Sequence, residues 1–391
     1  MRLLKLFCFP AAILAFCCSA ALGADGLYQP SVFAAPEPEV AACGYLTSDD
    51  CKPAACESAC DSACGSCSSC SRSLCLPLFP CCCHGDPWTL QGFLTGDSPC
   101  YNYGGWVSVG AYGNAHGAAS NGPIGMRNVG NEFTLNQLWG YFERTTNTGG
   151  YGWDWGFRTD VVFGVDGQDT QAFGSLPGAW DNPWDTSGEY GTALPQLYAE
   201  VAVNDLKVKM GHFYTILGYE TVPATGNFFT SHAYTMYYGE PFTHTGVLAE
   251  YALFDNVTVW GGYVQGWDTA FDNPLESADF LGGIRAPLTD SATLTWVLDI
   301  GHDGVGDYDY YLQSIVADFA LTRRLNYVLQ SDWGSQRNGV NGQWYGVNNY
   351  LFYTVNDCWK LGTRFEWFRD DDGLRIPFGN CSQPLPKSNL L

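Results

Sequence analysis

LPQLYAEVAVNDLKVKMGHFYTILGYE, residues 194–220, carries two alternations of opposite phase. Leu197, Ala199, Val201 and Val203 alternate with Gln196, Tyr198, Glu200 and Ala202, the period-2 pattern of a strand with one apolar and one polar face. After Asn204-Asp205 the apolar positions are Leu206, Val208 and Met210, interleaved with Lys207 and Lys209. A two-residue hairpin turn explains the change. It pairs Val203 with Leu206, Val201 with Val208 and Ala199 with Met210 on one face, and sets Glu200 opposite Lys209 on the other. Each arm is about nine residues, near the length that carries a tilted strand across a bilayer. The flanking segments 164–195 and 214–244 are long and rich in Gly, Pro, Asn, Asp and aromatics. Short turns at one end and long polar loops at the other mark an outer-membrane barrel.

The pattern recurs from Gly104 onward. Phe133, Leu135, Trp139 and Tyr141 share a phase with Trp153, Trp155, Phe157, Val161 and Phe163; a turn at Asn147-Thr148-Gly149 pairs Tyr141 with Trp155, Trp139 with Phe157 and Leu135 with Val161. Val247, Ala249, Tyr251 and Leu253 meet Val257, Val259, Gly261 and Tyr263 through Phe254-Asp255-Asn256, and Ile284 and Ala286 meet Trp296 and Leu294 through Thr289-Asp290-Ser291. Ala317, Phe319 and Leu321 face Leu329, Tyr327 and Leu325; Val347, Leu351, Tyr353 and Val355 face Trp367, Thr363, Leu361 and Trp359 around Asn356-Asp357-Cys358. With a first strand over Trp106–Asn114, six hairpins make thirteen strands of an all-β, antiparallel up-and-down transmembrane barrel. The rival is a soluble β-sandwich or barrel facing a core. Export, segregation of loop length by end, and girdle-placed aromatics such as Trp139, Trp153, Trp155, Trp359 and Trp367 favour the membrane.

Composition agrees. Of 391 residues 15% are charged and 15% aromatic, with 46 Gly, which is poor in helix formers. A net charge of −22 excludes nucleic acid as a partner, since phosphate binding needs a basic surface. Residues 1–23, with Arg2 and Lys5, an apolar Leu6–Ala15 and a small-residue end, read as a signal peptide. Residues 24–103 hold twelve cysteines, including Cys64-x-x-Cys67-x-x-Cys70 and Cys100, expected to oxidise to disulfides in an exported segment; metal is the rival. Residues 104–391 are the barrel domain.

The polar phase of each strand gives the expected lumen wall: Arg158, Asp160, Glu200, Lys207, Lys209, Glu250, Arg285, Asp299, Asp318, Asp332, Lys360, Arg364 and Glu366. A water-filled channel tolerates such mixed charge and a lipid face does not. Acid excess gathers in the long loops, at Asp166, Asp169, Asp181, Asp185 and Glu189, and at Asp268, Asp272, Glu276 and Asp279. Trp180-Asp181-Asn182-Pro183 and Phe271-Asp272-Asn273-Pro274 read as Asx-Pro turns rather than calcium or sugar contacts. His212, His232 and His244 lack paired ligand spacing and read as surface or lumen residues. No nucleophile elbow, phosphate loop or zinc-protease helix occurs, so no enzyme, catalytic residue, cofactor or metal is expected.

The blocks KVKMGHFYTILGYETVPATGNFFTSHAYTMYYGEPFTHTGVLAEYAL (207–253), GWVSVGAYGN (105–114) and FEWFRDDDGLR (365–375) resemble the outer-membrane β-barrel porins of the OmpL-like type, over about residues 104–375. The resemblance implies a pore-forming barrel and supplies no ligand or catalytic residue. The expected function is passive diffusion of small hydrophilic solutes or ions, cation-preferring, in a bacterial outer membrane, with membrane lipid as partner and an oligomer compatible. The alternative is a non-conducting surface protein whose barrel anchors the cysteine-rich segment. After Asp370-Asp371-Asp372-Gly373, the prolines 377, 384 and 386 argue against a return strand, so closure of the sheet is expected to be incomplete or to use the leader.

Overall fold

The computed structural model describes residues 90–376, apart from 95, 97–99, 115–116, 118–120, 122–124, 127–129, 173–180, 182–188, 255 and 357–358. The expectations for the signal peptide, nearly all of the cysteine-rich segment, the Trp180 turn and the tail beyond 376 fall outside the described residues. Cys100, just before the first strand, is disulfide-bonded.

Thirteen antiparallel strands pair strictly in chain order. They are β1 (Tyr101–Tyr112), β2 (Glu132–Arg144), β3 (Trp153–Gly164), β4 (Gly191–Val203), β5 (Leu206–Tyr214), β6 (Thr243–Phe254), β7 (Val257–Val264), β8 (Ala278–Thr289), β9 (Ala292–Asp303), β10 (Tyr308–Ala320), β11 (Leu325–Arg337), β12 (Gly342–Asn356) and β13 (Trp359–Asp370). Two short helices, α1 (Leu90–Leu94) and α2 (Val165–Thr170), accompany them. The β4–β5 register matches the sequence pattern, with Val203 opposite Leu206, Val201 opposite Val208 and Glu200 opposite Lys209. Asn204 makes the two-residue turn by taking the left-handed conformation, φ 53°, which Asn tolerates. Val247 with Tyr263, Ile284 with Trp296, Ala317 with Leu329 and Val347 with Trp367 also pair as expected. At three turns a bulge shifts the last pair, to Phe254 with Val257, Thr289 with Ala292 and Asn356 with Trp359.

The first hairpin differs. Tyr141 faces Asp160 and Trp139 faces Val162, not Trp155 and Phe157. Two local features cause this. The connection runs from 145 to 152 instead of three residues, with Gly149, Gly150 and Gly152 all at positive φ (58°, 83° and 85°). In β2 the pairing with β1 skips Asn136 between Leu135 and Gln137, a bulge that reverses the phase. Phe133 therefore points outward while Trp139 turns inward, stacks on Trp106 at 4.7 Å and donates its indole N–H to Asp160 Oδ2 at 3.0 Å. Trp139 is no girdle residue; Trp153, Trp155, Trp359 and Trp367 are exposed as expected.

The pattern of exposure is inverted relative to a soluble protein. Val201, Met210 and Phe365 are 49%, 61% and 69% exposed, whereas Asp160, Asp299 and Asn348 are 0%. A soluble sandwich would bury the apolar phase; here a continuous outward band of Val, Ile, Leu, Phe and Trp runs over every strand pair, far beyond the patch size a water-facing surface sustains. The sheet curls on itself, since Trp106 of β1 and Phe368 of β13 pack on the same internal cluster. Among the described residues β1 and β13 form no ladder with each other. No helix among the described residues is long and apolar enough to cross a membrane.

Loop length is segregated less sharply than the pattern predicts. At the end holding the 204–205 and 290–291 turns, only 145–152 and 321–324 are longer. At the opposite end, 113–131, 165–190, 215–242 and 265–277 are long, but 304–307 and 338–341 are as tight as hairpin turns.

Candidate functional site

The connection 215–242 does not extend outward; it enters the barrel. Its path is fixed by contacts with walls on opposite sides. Ile216 and Leu217 join Phe213, Leu248, Trp260, Leu281, Val297 and Leu312 in one cluster. Tyr219, Phe228 and Phe229 pack on Val316, Val328, Tyr350 and Phe352. Val222, Met236, Tyr237 and Tyr238 meet Trp139, Val162 and Ala193. Hydrogen bonds follow the same route: Gln137 Nε2 to the Val222 carbonyl at 2.8 Å, Gly218 N–H to Ser314 Oγ at 3.2 Å, Thr235 Oγ1 to Asn348 Oδ1 at 3.1 Å, and Trp344 Nε1 to the Gly239 carbonyl at 3.1 Å. One chain segment thus bridges β2, β10 and β12 across the lumen. The sequence allows it because aromatic and apolar side chains give an inserted strap surface to bury, while Pro223 and Pro241 interrupt regular pairing. Only short turns form within it, a 3-10 turn at Ala224–Gly226 and a π-helical turn at Thr235–Gly239.

The middle of the segment is held by charge. Glu220 accepts from Arg364 Nη1 at 2.8 Å and from the Tyr350 hydroxyl at 3.0 Å, and Ala233 N–H donates to its other oxygen at 2.8 Å. His232 Nδ1 lies 3.3 Å from that oxygen. Burial would raise the Glu220 pKa, but the His232 hydrogen bond and the Arg364 charge outweigh it and hold the carboxyl at about 2. Arg364 also donates to the Ser231 carbonyl and hydroxyl, at 2.5 and 3.0 Å, so a wall guanidinium grips both limbs of the segment. Beyond β13 the chain folds back over the mouth: Arg375 Nε donates to the Tyr238 carbonyl at 2.7 Å, with its guanidinium 4.5 Å from the Trp267 ring and 5.0 Å from Trp344.

The expected wall residues divide by depth. Arg158, Asp160, Asp299 and Asp332 are buried, Arg158 within an ion cluster with Asp160 at 2.7 Å and Glu143 at 2.6 Å. Glu200, Lys209, Glu250, Arg285, Asp318, Arg364 and Glu366 are half-buried, and Lys207 and Lys360 are exposed. His212, His232 and His244 are not surface residues; all three are buried, His212 against Thr245 Oγ1 at 2.8 Å and His244 between Thr215 Oγ1 and the Gly266 carbonyl, each at 3.1 Å. Asn273 caps Ser277 in both directions, a local turn as the sequence indicates. Among the described residues no group of three or more His, Cys, Asp or Glu is arranged to hold a metal ion.

Charge is separated along the barrel axis. The short-turn half carries Arg144, Lys207, Lys209, Arg285, Arg323, Arg324 and Lys360, set among acids such as Glu143, Asp154, Glu200, Glu250 and Asp318. The long-loop half has Arg337, Arg369 and Arg375 against Asp166, Asp181, Asp268, Asp279, Asp299, Asp303, Asp307, Asp309 and Asp370 through Asp372, among others. The net negative charge of the described barrel therefore sits at one mouth.

An up-and-down transmembrane sheet with an apolar outer band, a charged interior and a loop folded into the lumen defines the porin class. The family described as "Putative beta-barrel porin-2, OmpL-like" matches residues 101–388, and the chain belongs to it. Similar solved structures include OprD of Pseudomonas aeruginosa, 13% identical with TM-score 0.35 over 63% of this chain and 55% of that one. An anion-selective porin from Comamonas acidovorans is 11% identical with TM-score 0.37 over 69% of this chain and 89% of its own. A triple mutant of the Rhodopseudomonas blastica porin is 14% identical with TM-score 0.34 over 68% and 94%. The chain spans about half the length of OprD. None of the curated proteins matches it.

Proposed function

We propose that the protein is an outer-membrane channel for passive diffusion of small hydrophilic solutes and ions, exported by its N-terminal signal peptide and cation-preferring. The observation that carries this reading is the lumen itself: a strap spanning the barrel with mixed charge on the wall, entered through a mouth whose charges are overwhelmingly acidic. Acids at a low-dielectric mouth raise the local cation concentration and repel anions. Glu200, Lys209, Glu250, Arg285, Asp318 and Lys360 line the short-turn half of the path in this reading, below the strap. Single-channel recording in planar bilayers tests it: discrete, stable steps are expected.

A second reading has its own support. The segment 215–242 reaches opposite walls through three apolar clusters, as a plug would. A protein that inserts yet stays silent at every voltage and pH would make the barrel an anchor for the cysteine-rich segment.

A further inference from the structure

Two aspartates are buried next to each other on the inner face of β8 and β9. Asp279 lies opposite Gly301, which lies opposite Tyr310 of β10. One step further from the long-loop mouth, Asp299 is flanked by Leu281 and Leu312, which share a cluster with Ile216 and Leu217 at the start of the strap. Gly301 makes the arrangement possible. A Cβ there would overlap the Asp279 carboxyl group, so the bare backbone lets that carboxyl lie across β9. Residues 299 and 301 point the same way and are about 6.6 Å apart along the strand. The two carboxyls are therefore neighbours, and the Asp279 charge acts on Asp299.

The protein offers this pair only neutral groups. Tyr310 Oη donates to Asp279 Oδ1 at 3.1 Å. The His302 backbone turns toward Asp279, and the Trp267 indole toward Asp299. Yet Asp279 Oδ2, both carboxylate oxygens of Asp299 and Ser277 Oγ have no hydrogen-bond partner among the described residues, although Asp279, Asp299 and Ser277 are 2%, 0% and 1% exposed. Neither aspartate joins a salt bridge among the described residues. Asp303, the next acid along β9, adds negative charge, and Arg375, over the Trp267 ring, answers Asp268 and Asp370. Ser277 Oγ and the Tyr310 hydroxyl converge on the loop side, each 3.2 Å from the point a Cβ at Gly266 would occupy. Buried carboxylates are met by a counter-charge or coordinate a metal.

We propose that Asp279 and Asp299 hold a calcium ion against the inner wall, with the Ser277 and Tyr310 hydroxyls on its loop side. Two carboxylates match the charge of one divalent ion, and the remaining oxygens are neutral, so no third acid is needed. Oxygen donors alone select a hard cation. Ca²⁺ accepts irregular shells of carboxylate and hydroxyl oxygens, whereas Mg²⁺ keeps several waters that a site this buried excludes. The ion ties the 265–277 connection, through Ser277, to β8 and β9 behind the strap. The site stands whether or not the barrel conducts.

The full-length chain, refolded in detergent micelles and stripped with EDTA, is titrated with calcium chloride by calorimetry and unfolded by denaturant at rising free calcium. A saturable site of one ion per chain is expected, with a folding constant that climbs about tenfold for each tenfold rise in free calcium above the dissociation constant. Magnesium chloride should have a smaller effect. Wild-type unfolding that is the same in calcium as in EDTA would overturn the site, and this comparison needs no variant. The exposed loop acids are the other place calcium could bind. Asp299→Asn keeps the shape and removes ligand charge, so it should lose the calcium response while remaining at least as stable as the wild type in EDTA; Asp279→Asn is the second such variant. Asp272→Asn and Asp307→Asn, both on exposed loop residues, should keep the response. A response that survives in Asp299→Asn and Asp279→Asn, or vanishes with the loop variants, would place the ion at the mouth and overturn the proposal.

Discussion

The outward face can be tested by depth. Ile284 sits near the middle of β8, five residues from Thr289, while Val201 is two residues from the end of β4 at Val203. A strand rising about 3.3 Å per residue and tilted by about 45° advances about 2.3 Å along the membrane normal per residue. Ile284 then lies about 12 Å from the short-turn rim, at the midplane of an apolar band about 25 Å tall, and Val201 about 5 Å from it. Ile284→Arg should cost about 2–4 kcal/mol of folding free energy, and Val201→Arg only about 0–1 kcal/mol, since its guanidinium reaches the headgroups. The assay is reversible unfolding in lipid vesicles by denaturant titration followed through tryptophan fluorescence. At about 1.4 kcal/mol per decade, the two variants should differ by a factor of at least about five in the unfolding constant. Equal costs, or a larger cost at Val201, would refute the lipid-facing band, because a soluble core has no such depth axis.

Removing the grip on the strap is the second perturbation. Arg364→Ala leaves Glu220 buried without its ion pair, which destabilises by about 3–5 kcal/mol; the released segment should appear as noisy, enlarged currents, and Glu220→Gln combined with it should restore part of the loss. Quiet wild-type currents in Arg364→Ala would show that the clamp does not hold the segment. Selectivity is checked by reversal potential across a salt gradient: cation preference should strengthen toward about 0.01 M salt, where the Debye length reaches about 30 Å, and an anion preference there would end the charge argument. Accessibility checks the phase directly. With native cysteines replaced, Val201→Cys and Val208→Cys should resist a water-soluble thiol reagent in membranes, while Glu200→Cys and Lys209→Cys react; the reverse labelling would exchange lumen for lipid.

Five of six hairpins were legible because their turns are two to four residues long and one face stays apolar on both arms, as at Asn204-Asp205. The sixth was misread for want of a local signal. The bulge at Asn136 reverses β2 within a run where both phases contain large apolar residues, and three left-handed glycines permit a longer turn than Asn147-Thr148-Gly149 suggests. Lumen candidates followed from alternation alone, but alternation reports direction and not depth, so Asp160 and Asp299 looked equivalent to Lys207 although they are buried. The inward path of 215–242 was not legible. Its aromatics resemble those of any porin loop, and nothing local pairs Glu220 with Arg364, 144 residues away, or Glu240 with Gln330, 90 residues away. Glu240 was absent from the expected wall for that reason.

The separation of acidic and mixed charge along the barrel axis gives the protein an electrical polarity. If the barrel conducts as proposed, cations entering from the long-loop mouth should be concentrated before they reach the strap, whereas those arriving from the opposite mouth should meet Lys207, Lys209, Arg285 and Lys360 first. At equal salt on both sides, current should therefore be unequal for voltages of opposite sign. That rectification would report which way round each single molecule sits in the bilayer, turning the sheet's charge map into an internal compass.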